Sequence, residues 1–281
     1  MLRRAIAFAA LGLALVASPA LAAHEGYKLR DVHWSFEGPF GKFDTAQVQR
    51  GYKIYREVCA ACHAMTQLHF RNLGEKGGPF YDPEFKNAND NPYVKALAND
   101  IQVADVDSET GDPIQRPGTP ADKFPSPYPN EAAARAGNGG AEPPDLSTMA
   151  KAREGGPAYV YSILTGYITV PAALKMTTAQ NFNAYMAGDM APYWSGSHET
   201  VPVGGFIAMP PPLAPGKVTF DDGTPSTVEQ QAKDVSAFLA WAADPKATER
   251  KQFGFAAMIY LTLFSILLWF SYRRVWKNVG H

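Results

Sequence analysis

Cys59-Ala60-Ala61-Cys62-His63 holds both cysteines of this 281-residue chain. The pattern is C-x-x-C-H, the attachment signature of a c-type haem. Two thiols at this spacing add to the two vinyl groups along one porphyrin edge. The next residue, His63, then lies under the iron and supplies an imidazole. Three other readings compete. A zinc site needs four ligands, usually from a second C-x-x-C or a paired-histidine motif, and neither is present. A thioredoxin-like redox pair needs a βαβ setting, whereas the flanks here read as helix. A chance match is the third, and the exported character of the chain weighs against it.

Immediately upstream, Asp44 is an N-cap with Gln47 in capping-box position. Val48, Tyr52 and Tyr55 recur at helical spacing, with Ile54 beside them. This predicts a helix that carries the haem-bearing turn at its end. Far downstream, Ser226 and Glu229 form a second capping box. Val228, Ala232, Val235, Phe238, Leu239 and Ala242 make an apolar stripe, and Pro245 stops it. That stripe is expected to pack on the first helix. A third helix is expected over 157–164. The stretch from Gly74 to Asp145 is rich in Pro, Gly and Asp and reads mostly as loop, stiffened by Pro117, Pro120, Pro125, Pro127 and Pro129. Gly and Pro together are 47 of 281 residues, about 17% against roughly 12% in average proteins, so long irregular loops are expected. With two cysteines, no disulfide scaffold can hold them.

The two ends differ from the middle. Arg3 and Arg4, the apolar run Ala5–Val16 and Ala20-Leu21-Ala22 read as a cleaved secretory leader over 1–22. Phe253–Phe270 is uncharged and, at 1.5 Å per residue, roughly 27 Å long as a helix. Lys251 precedes it; Arg273, Arg274 and Lys277 follow. The expected organisation is a leader at 1–22, an exported domain at 23–249, a transmembrane anchor at 250–272 and a cytoplasmic tail at 273–281. The leader sets the orientation, with the domain in the periplasm of a bacterial inner membrane.

The overall charge of −1 excludes a generally basic nucleic-acid binder. All 27 acidic residues precede residue 250. Two of the 26 basic residues lie in the leader and five from Arg250 onward, which leaves 19 and a net −8 on the domain. A solvated surface is the plain explanation; a basic docking partner is the sharper one. The run Asp100, Asp105, Asp107, Glu109 and Asp112 is a candidate docking edge.

An iron with one histidine has an open face, suited to gas or peroxide chemistry; a methionine there makes a closed, high-potential carrier. Met65 lies too near His63 to reach the far side. Met149, Met176, Met186, Met190 and Met209 stay open on the residues alone, with His33, His69 and His198 as rivals. Met209 stands out because it precedes Pro210-Pro211-Pro212, an extended run without amide donors.

These residues together resemble the cytochrome c1 family, the haem subunit of ubiquinol–cytochrome c reductase. The matching stretches are Arg50–Cys59, Pro143-Pro144-Asp145-Leu146-Ser147, Ala152-Arg153-Glu154-Gly155-Gly156, Leu164-Thr165-Gly166-Tyr167, Ala208-Met209-Pro210-Pro211 and Asp221-Asp222-Gly223-Thr224-Pro225. Lys233-Asp234-Val235 and Trp241-Ala242-Ala243 follow, then the anchor. C-x-x-C-H alone is generic; P-P-D-L-S followed by A-M-P-P is specific. The resemblance implies an all-α, cytochrome c-like haem domain with long irregular insertions and one C-terminal transmembrane helix. It implies one covalent haem c on Cys59 and Cys62, with His63 and Met209 as axial ligands. It matches Arg153 to a haem-propionate arginine, and Asn138, Pro144 and Tyr159 to haem-pocket positions. Loop turn, chain stiffening and helix packing are the plain roles of those last three. The implied partners are cytochrome b, a Rieske iron–sulfur protein as donor and cytochrome c as acceptor, in a dimeric complex. No substrate chemistry is expected at the iron, so the subunit is a carrier within a quinol-oxidising enzyme. An anchored cytochrome of another chain, or an open-faced haem enzyme or sensor, are the alternatives. Several bacterial relatives carry an extra cysteine pair that is absent here, which leaves prolines, packing and subunit contacts to hold the loop from Tyr167 to Met209.

Overall fold

The structure is a computed structural model and describes residues 28–278. The leader expected at 1–22 lies outside the described residues. In chain order the elements are α1 (Thr45–Glu57), α2 (Phe70–Gly74), α3 (Pro92–Asn99), β1 (Gln102–Val106), β2 (Pro113–Pro117) and α4 (Glu131–Gly137). They continue with α5 (Met149–Ala152), α6 (Pro157–Thr165), β3 (Asn181–Asn183), β4 (Gly205–Ile207), α7 (Val228–Ala243) and α8 (Ala247–Val275).

The frame is the crossing of α1 and α7, the pairing that the two apolar stripes predict. Gly51 makes it close: a Cβ there would lie 2.1 Å from the Asp234 carbonyl oxygen. Asp234 is fully buried at the crossing. Its carboxylate accepts from Arg50 Nε (2.7 Å), Gln230 Nε2 (2.8 Å) and Gln47 Nε2 (3.2 Å), so the buried charge is paired and its lone pairs are used. Around it, Tyr52, Tyr55, Phe70, Phe124, Phe238 and Trp241 form an aromatic core. Phe70 stacks on Phe124 at 4.5 Å and Phe238 on Trp241 at 5.8 Å. Each such ring contributes about 1.5–3 kcal/mol by burial.

That cluster alters both expected capping boxes. Asp44 does cap α1, accepting from the Gln47 amide at 3.0 Å. The Gln47 side chain, however, turns inward to Asp234 instead of back to Asp44, whose own amide donates to Ser35 Oγ. For α7 the cap is Thr227, one residue later than expected, accepting from the Gln230 amide at 3.1 Å. Ser226 Oγ is taken by Gln231 Nε2 at 3.0 Å. In both cases a buried side-chain bond wins over a surface one.

The stretch from Gly74 to Asp145 is more ordered than its composition suggests, because it contains α3, the hairpin β1–β2 and α4. Asn91 starts α3 by accepting from the Tyr93 and Val94 amides, with Pro92 at the first position. The hairpin strands are largely exposed, so no apolar alternation betrays them. A second small sheet pairs β3 with β4, Asn181 opposite Ile207 and Asn183 opposite Gly205. It frames a satellite cluster of Leu174, Phe182 and Met190. The domain stays helical, with both sheets confined to insertions.

After Asp244 and Pro245 the chain enters α8, about 43 Å long at 1.5 Å per residue. Its apolar window is not buried against the domain, and the helix is long and apolar enough to cross a bilayer.

Candidate haem site

The C-x-x-C-H motif forms a tight turn at the end of α1. Cys59–Ala61 is one turn of 3-10 helix, and the amides of Cys62 (3.1 Å) and His63 (2.9 Å) both donate to the Cys59 carbonyl. Both cysteines are free and half-buried. Burial, with the neighbouring Cys62 sulfur, pushes the Cys59 thiol up to about 12.

His63 is the best-defined group of the site. Its Nδ1 lies 2.8 Å from the Pro144 carbonyl. A carbonyl only accepts, so Nδ1 carries the proton and Nε2 is left as a bare acceptor. Nε2 makes no hydrogen bond among the described residues. Burial lowers the His63 pKa, against the opposing pull of Pro144 and Asp145. The imidazole is therefore neutral near pH 7, the form that ligates metals.

Pro144 is held in place by its own motif, which lies along the chain after His63. The Leu146 amide donates to Ala64 O (2.8 Å). Asp145 Oδ2 accepts from the Thr66 amide (2.9 Å) and hydroxyl (2.7 Å). The Gln67 amide donates to Ser147 Oγ (3.1 Å). Asp145 and Ser147 thus position the imidazole through Pro144. The residue order P-P-D-L-S was visible in the sequence, but nothing local pairs it with residues 63–67, some 80 positions away.

The other expected pocket residues are not hydrogen-bonded to this turn. Asn138 caps α4 and donates from Nδ2 to Ala134 O at 2.7 Å, which is its plain turn role. Arg153 ends α5, is exposed, and bonds only the Ala152 carbonyl at 3.2 Å; no carboxylate pairs with it among the described residues. Tyr159 sits half-buried in the first turn of α6. Gly155 and Gly156, both in left-handed conformation (φ 81° and 53°), reverse the chain between Arg153 and Tyr159.

Met209 lies in a segment clamped by side chains. Tyr167 Oη donates to the Met209 carbonyl at 3.0 Å. Asn181 Nδ2 reaches the carbonyls of Ile207 (3.4 Å) and Ala208 (3.2 Å). Tyr167 is in turn bridged to Asn183, a buried residue whose Nδ2 donates to Ile163 O at 2.8 Å. Three successive carbonyls are therefore fixed just before three prolines that offer no amide. Leu213 then returns the chain to the main core. Of the competing methionines, Met65 is fully buried in that core, Met149 packs against it, and Met176 and Met190 belong to the satellite cluster. Met186 is half-buried, its amide on Asn183 O. His33 is exposed beside Glu37, His69 caps α2 and His198 sits in an exposed turn.

The acidic run is largely engaged locally. Asp100 pairs with Arg56 at 3.4 Å, and Asp105 with Arg116, which also grips Asp122. Asp107 accepts from the Glu109 and Thr110 amides in the β1–β2 turn. Glu109 and Asp112 remain at the hairpin tip.

The donor set suits a covalent haem. Two unpaired thiols and a neutral imidazole with one fixed nitrogen and one bare one sit on a single turn. Among the described residues no carboxylate pairs with the Arg153 guanidinium. A helical domain with such a turn, carried on a long apolar helix, defines a membrane-anchored cytochrome of the c class. More narrowly, the chain belongs to the cytochrome c1 family, whose model matches residues 34–279. It is 39% identical over 280 residues to the cytochrome c1 of Rhodospirillum rubrum, covering 98% of this chain and 97% of that one. It is 40% identical over 257 residues to the mitochondrial cytochrome c1 heme protein of Saccharomyces cerevisiae, covering 91% and 74%. Against the cytochrome b/c1 of Bradyrhizobium diazoefficiens it is 41% identical over 97% of its length but spans only 40% of that longer protein.

Proposed function

We propose that this chain is the membrane-anchored electron carrier of a ubiquinol–cytochrome c reductase. Cys59 and Cys62 would hold one haem c covalently, and His63 and Met209 would ligate its iron. The haem supplies a reversible one-electron change at iron. The observation that carries this reading is the His63 imidazole, neutral and fixed through Nδ1 on Pro144, beside two free thiols on the same turn.

The residues then divide the work. Pro144, Asp145 and Ser147 orient the imidazole so that Nε2 presents its lone pair. The Tyr167 and Asn181 bonds hold the backbone at Met209, so little further entropy is lost when its sulfur is engaged. Arg153 offsets a propionate, and Asn138 and Tyr159 line the pocket. His63 and Met209 would both be ligands to a bound haem, which would keep substrate off the iron and leave electron transfer as its chemistry. Domain 23–249 faces the periplasm of a bacterial inner membrane, 250–272 anchors it, 273–281 is cytoplasmic and 1–22 is removed. The electron comes from a Rieske iron–sulfur protein and leaves to a cytochrome c, in a dimeric complex with cytochrome b. The family and the fused b/c1 relative support that assignment.

Purification of the complex in detergent tests it. The expected outcome is a thioether-linked haem in the pyridine haemochrome spectrum, no carbon monoxide binding by the ferrous protein at neutral pH, and a co-purifying b-type cytochrome and iron–sulfur protein. Carbon monoxide binding would point to an open-faced haem instead.

A further inference from the structure

The joint between the haem domain and α8 is braced. Lys246 Nζ lies 3.5 Å from Glu75 and donates to Lys76 O, and Asp244 takes both Arg250 and Lys151. On the opposite strand of the joint, Lys251 Nζ donates to Phe36 O at 2.6 Å and Gly38 O at 2.8 Å. These bonds pin the turn 36–41 to the start of α8. The turn is rooted in the domain by buried Trp34, stacked on Phe36 at 5.6 Å, and by Phe36 against Phe43 at 4.6 Å. Its tip, Gly38-Pro39-Phe40-Gly41, carries no charge. Phe40 is 70% exposed, and its ring meets Phe255 of α8 edge-on at 5.2 Å. Phe255 belongs to the uncharged stretch Phe253–Phe270. A large ring thus leaves the core and reaches the level at which α8 becomes apolar.

We propose that the tip of this turn, 38–41, is a lipid-facing foot, with Phe40 inserted at the headgroup–acyl boundary of the membrane that α8 crosses. It rests on the reading of α8 as membrane-spanning. Lipid is favoured over a protein partner by three features. The tip offers a single apolar ring and no side-chain donor or charge to specify a partner. Two carbonyls of the turn, those of Phe36 and Gly38, are bonded to Lys251, which lowers the cost of bringing that backbone to a bilayer surface. The ring is also continuous with the exposed apolar surface of α8. The consequence is a domain held at one angle to the membrane, not one swinging on a tether.

The test is photocrosslinking in native membranes with the full chain. Benzoylphenylalanine replaces Phe40 or, in separate variants, Met258, Leu263 or Phe264, which point to three sides of α8. The expected result is a lipid adduct by mass spectrometry from position 40 and from at least one α8 position. A polypeptide adduct or no adduct at position 40, with lipid adducts on α8, would overturn the foot alone. No lipid adduct from any α8 position would overturn the spanning helix and the foot with it.

Discussion

The two faces proposed for the haem iron are built by different means. On the His63 side, helices do the work: α1 and α7 cross at Gly51, bury Asp234 and wrap an aromatic core, and the C-x-x-C-H turn extends from that frame. On the Met209 side there is almost no regular structure. A three-residue sheet, a small satellite cluster and side-chain bonds to three consecutive carbonyls hold the chain. Stability therefore concentrates on the first side. On the second, single side chains fix geometry with little effect on the global fold.

Substitutions should separate the two regions, and the largest effect falls on the helical side. Arg50→Leu leaves the Asp234 carboxylate buried without its cation, and removing one partner of such a pair costs about 3–5 kcal/mol. Thermal unfolding of the haem-loaded protein should drop accordingly; an unchanged melting temperature would mean the crossing does not depend on that charge. Gly51→Ala comes next. In an ordinary helix this change stabilises by about 1 kcal/mol. Here the new Cβ meets the Asp234 carbonyl, so the expected sign is reversed, with a loss of roughly 1–3 kcal/mol by overpacking.

On the Met209 side, Tyr167→Phe removes one hydrogen bond, worth about 1 kcal/mol. The melting temperature should hardly move. The reduction potential should fall and the sulfur-to-iron charge-transfer band weaken, with Met209→Leu abolishing that band. A normal potential in the tyrosine variant would make the two sides equally robust.

The smallest effect is acid sensitivity at the rim of the crossing. The Thr224 amide and hydroxyl, with Arg50, lower Asp222 from 3.8 to about 2. A carboxylate depressed in the folded state stabilises above pH 3.8 and loses that contribution as pH falls toward 2. Asp222→Asn should lower the melting temperature slightly above pH 3.8 and match the parent as pH falls toward 2, which flattens the decline over that window.

The legible parts were those with a short-range period or a covalent motif. Val48, Tyr52 and Tyr55, and Val228 through Ala242, announce two amphipathic helices that need each other. The hairpin over 102–117 was missed because its strands are exposed, and α4 because Asn130 and Glu131 sit among turn-forming residues. Asp44 caps α1 as its position predicts, but the reciprocal half of the box is absent because Gln47 bonds Asp234 inside, and the α7 cap falls on Thr227 because Ser226 is held by Gln231. Asp145 and Ser147 stood in plain sight as P-P-D-L-S, yet their bonds to Thr66 and Gln67 close a loop of about 80 residues that no local signal encodes.

From sequence alone come the haem-attachment turn, the two core helices and the apolar membrane stretch, since each is set by side chains within a few residues of one another. Only the tertiary structure decides which nitrogen of His63 is free, how the Met209 carbonyls are clamped and how the Phe36–Gly41 turn meets α8. Those outcomes depend on hydrogen bonds between segments tens to hundreds of residues apart, whose partners are chosen by burial and geometry and leave no periodic trace along the chain.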